Sequence, residues 1–204
     1  MVGLRLVVNT VNIIDSALPD EQFKVLQNAI LSWDFPWYYG GTAYMGKLEN
    51  QLFGNSFTHN ALFNGKYLSD IAPLLEQSII TLVDSIGQKL DKILRVRLAL
   101  TTVTEKSYQH PPHIDMTMPH QVGILYLNDA DGDTYFYDKK YNFDDGGDTY
   151  AQYMKIKDNL ILTDRVTPKA NRFVNFDGLY YHNSSTPTTV QRRVILNFNY
   201  TTVV

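Results

Sequence analysis

The order of apolar and polar residues predicts two helices in the first part of the chain. Apolar residues recur at steps of three and four from Phe23 to Trp33, after a Pro-Asp-Glu sequence at 19–21 that is typical of a helix start. A second apolar stripe of the same period runs from Ile71 to Ile86, after a Ser-Asp cap at 69–70. Gly87 then supplies a residue suited to a helix end.

From about residue 93 the period becomes that of a strand. Residues 93–100 alternate between apolar and polar, and a Thr/Val run extends this pattern to Thr104. An earlier strand is predicted within 4–14, whereas residues 41–68 are rich in loop-forming residues. Further strands, separated by turn sequences, are predicted at 121–127, 133–138, 152–156, 160–166, 172–176 and 192–200.

Helices followed by many short strands predict a mainly β fold of the α+β class, with a β-sandwich or barrel buttressed by the two N-terminal helices. The 204 residues fit one domain, in which 1–90 supply supporting strands and helices and 93–200 form the barrel core. The aromatic segment 35–39 would pack at a sheet edge or form one wall of a cleft. His59 stands among polar residues and is predicted to lie on the surface or in a loop.

Composition and charge exclude several classes of function. The chain has no cysteine, which excludes disulfides, zinc–cysteine sites and thiol catalysis. The net charge is -3 and no Lys/Arg cluster is longer than two residues, so nucleic acid is not an expected partner. No apolar run reaches the length of a membrane span, and we expect a cytoplasmic location.

The sequence around residue 113 is the main candidate for chemistry. Three of the five histidines lie within 110–120, and His113 and Asp115 precede a strongly β-forming run. Residues i and i+2 of a strand share a face, so this imidazole and this carboxylate would point the same way. Such ligands suit a divalent transition metal. His182, in the later β-region, is the candidate third ligand.

Other polar residues fit a pocket around this site. Arg192 and Arg193 stand ten and eleven residues after His182, and a guanidinium suits a bidentate grip on a carboxylate. His110 and His120 flank the ligand pair. Each would either orient a bound molecule at the mouth of the site or act as a hydrogen-bonded loop residue.

These motifs, in this order, resemble the iron(II)/2-oxoglutarate-dependent oxygenases. The likeness rests on His113-x-Asp115, the segment 126–136 (Tyr-Leu-Asn-Asp-Ala-Asp-Gly-Asp-Thr-Tyr-Phe), His182 and the basic residue about ten positions later. It covers roughly residues 93–200 and is strongest to the prolyl 4-hydroxylase-like branch, in particular the short single-domain members common in phages and marine microbes. Asp133 stands where the longer Glu is usual, which affects a turn rather than a ligand.

The resemblance implies a double-stranded β-helix, or jelly roll, and a set of roles. His113, Asp115 and His182 would bind Fe(II). Arg193 or Arg192 would bind the distal carboxylate of the cosubstrate 2-oxoglutarate, and Tyr126 would offer it a hydroxyl. Strand alternation favours Arg193, because its inward face then also carries Ile195, Asn197 and Asn199, while Val194, Leu196 and Phe198 face the helices. Asn197 is accordingly included among the residues expected to bind 2-oxoglutarate.

The implied reaction consumes O2 and 2-oxoglutarate, releases succinate and CO2, and hydroxylates a primary substrate. A peptidyl proline is the first candidate substrate. Free amino acids, other protein side chains and small metabolites stay open, as do nucleic-acid bases, which the missing basic patch disfavours. The irregular segments 36–68 and 139–151 are expected to shape the substrate mouth. The alternative is a cupin-like metal-binding barrel protein without oxygenase activity.

Overall fold

Eleven strands and three α-helices form within residues 11–39, 56–145 and 148–203, the parts of the chain that the computed structural model describes. The helices are α1 (Asp20–Leu31), α2 (Ala72–Ser85) and α3 (Thr149–Ile156). The strands are β1 (Asn12–Ile14), β2 (Tyr38–Tyr39), β3 (Ser56–Phe63), β4 (Lys66–Tyr67), β5 (Leu90–Thr102), β6 (Gln121–Tyr126), β7 (Thr134–Lys140), β8 (Leu162–Val166), β9 (Phe173–Asp177), β10 (Tyr180–Ser184) and β11 (Arg192–Thr202). None of the helices in these ranges has the length and apolar character needed to cross a membrane.

The strands form two antiparallel sheets. The larger sheet has the order β1-β9-β6-β11-β5-β3-β2, with β4 paired to β3, and the smaller sheet has the order β10-β7-β8. Apolar side chains of β6, β9 and β11 pack against Phe136 and Val166 of the smaller sheet. The predicted mainly β architecture with flanking helices is therefore confirmed.

The helices cover the opposite face of the larger sheet. Leu26 and Ile30 of α1 and Leu75 and Ile79 of α2 are fully buried in one cluster with the strand residues of that face. Strand β11 contributes Val194, Leu196 and Phe198 to this cluster. Alternation along the strand then directs its intervening side chains into the space between the two sheets.

Two predictions made from the apolar pattern are wrong. A strand was predicted at 152–156, but this segment lies in α3, whose N-cap Asp148 accepts a hydrogen bond from the Ala151 backbone N–H at 2.7 Å. Trp33 was assigned to the buried stripe of the first helix, but α1 ends at Leu31 and Trp33 is 96% exposed. Residues three or four positions apart share a face only while the helix continues, and Trp33 lies beyond its end.

The described part of the segment predicted to be rich in loops, 56–68, contains β3 and β4, and β3 is paired with β5 inside the larger sheet. His59 was predicted to lie on the surface, but it is 4% exposed and bonds the Pro36 carbonyl through Nδ1 at 2.8 Å and the Ser69 hydroxyl through Nε2 at 2.6 Å. Ser69 does not cap the second helix through its side chain, since the N-cap of α2 is Ile71.

The N-terminal third contributes to the barrel as well as supporting it. Strands β1 and β3 belong to the larger sheet, although the sequence placed the barrel core in 93–200. Phe35 and Trp37 pack against the core, whereas Tyr38 and Tyr39 form an exposed edge strand, which matches the sheet-edge interpretation of the aromatic segment. The predicted strand at 4–14 is described only as β1, because residues 1–10 lie outside the described ranges, as do 40–55.

Candidate metal centre and its pocket

Three predicted metal ligands converge at one end of the space between the sheets. One ligand atom from each of His113, Asp115 and His182 lies within 4.8 Å of the other two. The backbones of His113 and His182 exchange two hydrogen bonds of 2.9 and 3.0 Å, so a single β-bridge brings the two histidines together across almost seventy residues of sequence. The segment around His113 is thus an isolated bridge rather than the regular strand that the sequence suggested, but Ile114 still points away into the core.

Backbone carbonyls hold both imidazoles in the form that a metal requires. The Nδ1–H of His113 donates to the Pro111 carbonyl, and that of His182 donates to the Tyr180 carbonyl, each at 3.1 Å. This tautomer puts the ring lone pair on Nε2. Burial lowers the pKa of His113, and it lowers the pKa of His182 to about 4. Both rings are therefore neutral at pH 7.

Asp115 is held as a charged carboxylate by groups from two strands. Arg95 of β5 places Nη2 at 2.8 Å from Oδ1, and Asn199 of β11 donates from Nδ2 to Oδ2 at 2.8 Å. Asn197 approaches the same Oδ2 at 3.4 Å. Burial alone would raise the pKa of Asp115, but Arg95 and the nearby imidazoles lower it well below its usual value. The carboxylate is thus ionised and fixed in orientation.

The donor set fits a divalent transition metal. Two neutral imidazole nitrogens and one ionised carboxylate oxygen form the two-histidine, one-carboxylate set that such metals bind with further positions left for other ligands. The Nε2 of His113 lies 4.0 Å from Asp115 Oδ1, a separation that one ion between them can span. Each ligand is also oriented by a hydrogen bond or ion pair from outside the set, as is usual for metal sites.

A buried arginine lies at another part of the same pocket. Arg193 is 3% exposed and lines the pocket together with the three ligands. Its Nη2 donates to Thr134 Oγ1 at 2.9 Å, its guanidinium lies 5.4 Å from the Tyr126 ring centroid, and its Nε has no hydrogen-bond partner. Burial lowers the pKa of Arg193. Asp133, the acid whose charge acts on Arg193, is paired with Arg165, so this cation can accept an added carboxylate.

Arg192 does not reach this pocket. It lies on the other face of β11, where Nη2 donates to the Leu31 carbonyl of α1 at 3.5 Å. The hydroxyl of Tyr126 bonds Thr134 Oγ1 at 2.7 Å, which links it to the hydroxyl that also receives Arg193. Asn197 lines the pocket but contacts Asp115, so its nearest partner is the ligand end rather than Arg193.

The two flanking histidines have different surroundings. His110 is buried and lines the pocket, and burial lowers its pKa to about 4. His120 is buried at the turn before β6, where Nδ1–H donates to the Met118 carbonyl at 2.7 Å and the ring packs directly on Gly178. Only His110 is therefore placed where it could meet a bound molecule.

Arg95, Arg97 and Thr134 were not assigned to the site from the sequence, and Asn199 was assigned only to the inward face of its strand. Arg95 and Arg97 alternate with apolar residues along β5, and Arg97 lines the pocket. That alternation shows that the two share a face, but which face meets the metal ligands depends on the pairing of Arg97 with Asn197 and of Arg95 with Asn199 across the sheet. The sequence therefore indicates that Arg95 and Arg97 share a face of β5, but it does not indicate that this face lies beside the predicted metal ligands.

No protein-family model and no curated protein matches the sequence. Solved structures do match. They include the non-haem α-ketoglutarate-dependent epimerase SnoN of nogalamycin biosynthesis, with 13% identity, a TM-score of 0.62 and coverage of 94% of this chain and 76% of that one. A prolyl-4-hydroxylase of Pseudomonas putida matches with 12% identity, a TM-score of 0.56 and coverage of 96% and 94%. HygX of Streptomyces hygroscopicus, solved with nickel and 2-oxoglutarate, matches with 10% identity, a TM-score of 0.58 and coverage of 95% and 83%.

The chain has the double-stranded β-helix fold of the 2-oxoglutarate/iron(II) oxygenases. The fold that the resemblance implied is thereby confirmed. The neighbours with this oxygenase fold include an epimerase as well as a hydroxylase, so the fold alone does not determine the outcome of the reaction.

Proposed function

We propose that this protein is an Fe(II)- and 2-oxoglutarate-dependent dioxygenase that hydroxylates a C–H bond of a primary substrate and releases succinate and CO2. One observation carries the proposal. A single pocket contains the triad His113, Asp115 and His182 together with Arg193, a buried guanidinium whose Nε lacks a partner. A barrel protein that only binds a metal requires the triad but does not require a buried arginine in the same pocket.

The triad would hold Fe(II), which, when bound, supplies the redox chemistry that couples O2 to the oxidative decarboxylation of 2-oxoglutarate. Arg193 would pair with the distal carboxylate of 2-oxoglutarate, and Thr134 keeps the guanidinium in place. Ile124 and Ile195 line the pocket and would exclude water from the reacting groups. Arg95 and Asn199 would keep the Asp115 carboxylate in the orientation that a metal ligand needs.

Structural neighbours support this choice of cofactor and cosubstrate. SnoN has been solved in complex with Fe3+, α-ketoglutarate and nogalamycin RO, and HygX with nickel and 2-oxoglutarate. Hydroxylation is proposed here because Asp115 is retained as the carboxylate of the triad and because prolyl hydroxylases are among the neighbours.

A spectroscopic experiment tests the proposal. Anaerobic protein with Fe(II) should develop a visible charge-transfer band when 2-oxoglutarate is added, and admission of O2 should then yield succinate. His113→Ala and Asp115→Ala should each abolish the band. Metal binding with neither band nor succinate would instead favour the cupin-like alternative.

A further inference from the structure

Arg97 is a second pocket arginine for which the proposed cosubstrate provides no partner. It lies on β5, directly opposite Asn197 of β11, and lines the pocket beside the triad. The side chain of Arg97 forms no ion pair or hydrogen bond with any other residue of the described chain, and its Nε is buried without a partner. The cost of burying a cation without a partner makes such an arrangement unusual unless a ligand supplies the anion.

The charged groups around Arg97 do not neutralise it. Asp115 is the one acid among the described residues that line the pocket, and it is already paired with Arg95. Arg95 and Arg97 repel each other, and burial together with this repulsion lowers the pKa of Arg97. In the proposed complex, the two charges of a metal dication would offset the two carboxylates of 2-oxoglutarate. With Arg95 offset by Asp115, the positive charges of Arg97 and Arg193 would remain, and the charge of Arg97 lies beside the triad.

Arg97 and Arg193 occupy different parts of the pocket. They lie at positions four residues apart along the paired strands, about 13 Å at roughly 3.3 Å per residue. Arg193 lies among Tyr126, Thr134 and Asp133, whereas Arg97 exerts its charge on His113 and Asp115. In the proposed complex, one carboxylate of 2-oxoglutarate would pair with Arg193 and the other would be a ligand of the metal. Arg97 would thus be left for another molecule.

We propose that the primary substrate carries a carboxylate that pairs with Arg97, an inference that rests on the proposed oxygenase function. A planar guanidinium fork matches a carboxylate in shape and in charge. The hydroxyls of Thr58 and Thr101 line the same pocket and can bond the remaining polar atoms of the substrate. The contact would anchor the substrate beside the metal on the side away from Arg193.

The side-chain resonances of arginine provide a direct test. Protein with ¹⁵N-labelled arginine is loaded with Zn(II) and 2-oxoglutarate, and the Nε–Hε signal of Arg97 is assigned by its loss in Arg97→Lys. A panel of N-acetyl amino acids and their matched carboxamides is then titrated. At least one acid should shift the Arg97 signal to saturation, while its amide should not. Arg97→Lys should weaken binding of that acid roughly tenfold or more, while Arg172→Lys, a surface arginine paired with Asp15, should not.

Several results would overturn the inference. They are equal shifts with acid and amide, no saturable shift with any acid, or a loss of 2-oxoglutarate affinity in Arg97→Lys as large as in Arg193→Lys. The last result would assign Arg97 to the cosubstrate. If Arg97→Lys does not fold, the preference for acid over amide in thermal shifts of the wild-type protein decides the question.

The same samples separate this inference from the proposed function. With Fe(II) in place of Zn(II), the visible band should form in wild-type protein and in Arg97→Lys alike. A band without any carboxylate preference removes the Arg97 inference alone. A missing band in wild-type protein removes the oxygenase function, whatever Arg97 binds.

Discussion

Replacement of Arg193 by Gln should remove most of the affinity for 2-oxoglutarate while leaving the fold intact. Arg193 is buried, and its hydrogen bond goes to the neutral hydroxyl of Thr134. Its charge is therefore available to a bound carboxylate. Gln keeps a polar group of similar reach but supplies neither the charge nor the two-pronged donor geometry.

The expected loss follows from the burial of this pair. Removing one partner of a desolvated, hydrogen-bonded charge pair costs several kcal/mol, and about 3 kcal/mol corresponds to roughly a hundredfold weaker Kd. Arg193→Lys keeps the charge without the fork and should lose about tenfold, or roughly 1.4 kcal/mol. Since a buried cation without an acid partner costs folding energy, the unfolding free energy of unliganded Arg193→Gln should fall by no more than about 1 kcal/mol.

The neighbouring Arg192 provides the matched control. It lies one position earlier on the same strand but faces α1, so Arg192→Gln should leave the Kd for 2-oxoglutarate unchanged. The assay is an anaerobic titration of the visible band with 2-oxoglutarate, together with calorimetry and denaturant unfolding. Equal losses for Arg192→Gln and Arg193→Gln, or a loss below about fivefold for Arg193→Gln, would refute the assignment of the carboxylate site.

Three further predictions concern the metal end and the packing of the pocket. Asn199→Ala removes a 2.8 Å hydrogen bond to Asp115 and should weaken metal binding by roughly 10- to 100-fold, measured in a competition titration. An unchanged metal affinity would contradict the positioning role of Asn199. His110 and His182 have pKa values of about 4 in the folded protein against 6.5 ordinarily, so unfolding free energy of the metal-free protein should hold above pH 6.5 and fall between pH 6.5 and 4. The loss should reach up to about 3 kcal/mol per imidazole, and a flat profile over this window would contradict it. Gly132→Ala would place a Cβ 2.5 Å from a backbone oxygen and 3.1 Å from the Arg193 side chain, so it should cost about 1–3 kcal/mol of stability and also weaken 2-oxoglutarate binding. An unchanged free energy of unfolding in Gly132→Ala would show that the turn around Gly132 can shift to accommodate the added Cβ.

The alternation of side chains along a strand was enough to predict which residues of β11 line the pocket. Along β11 the alternation places Arg193, Ile195 and Asn197 in the pocket and their neighbours against the helices. The prediction succeeds because successive side chains of a strand point to opposite faces, and the outward face of β11 is apolar from Val194 to Phe198. The ligand motif was equally local for His113 and Asp115, which lie two residues apart.

Features that depend on distant partners were not predictable in the same way. His59 looks like a surface residue in sequence, and it is buried because Pro36 and Ser69 satisfy both of its ring nitrogens. The segment 149–156 carries aromatic residues that suit a strand, and the cap at Asp148 makes it a helix. Alternation places Asn199 on the inward face, but its contact with Asp115, like that of Arg95, depends on how the sheet pairs the two strands.

A single strand therefore couples the stability of the barrel to the chemistry of the pocket. The outward side chains of β11 are fully buried against the helices, while its inward side chains reach from Arg193 to the residues that hold Asp115. A one-residue slip of this strand would exchange the two sets and would bury the charge of Arg193 and two asparagine amides in the helix interface. The apolar face thus fixes the register, and the register fixes the separation between Arg193 and the proposed metal ligands. Substitutions at Leu196 or Phe198 that loosen this packing should therefore weaken 2-oxoglutarate binding, although neither residue touches the pocket.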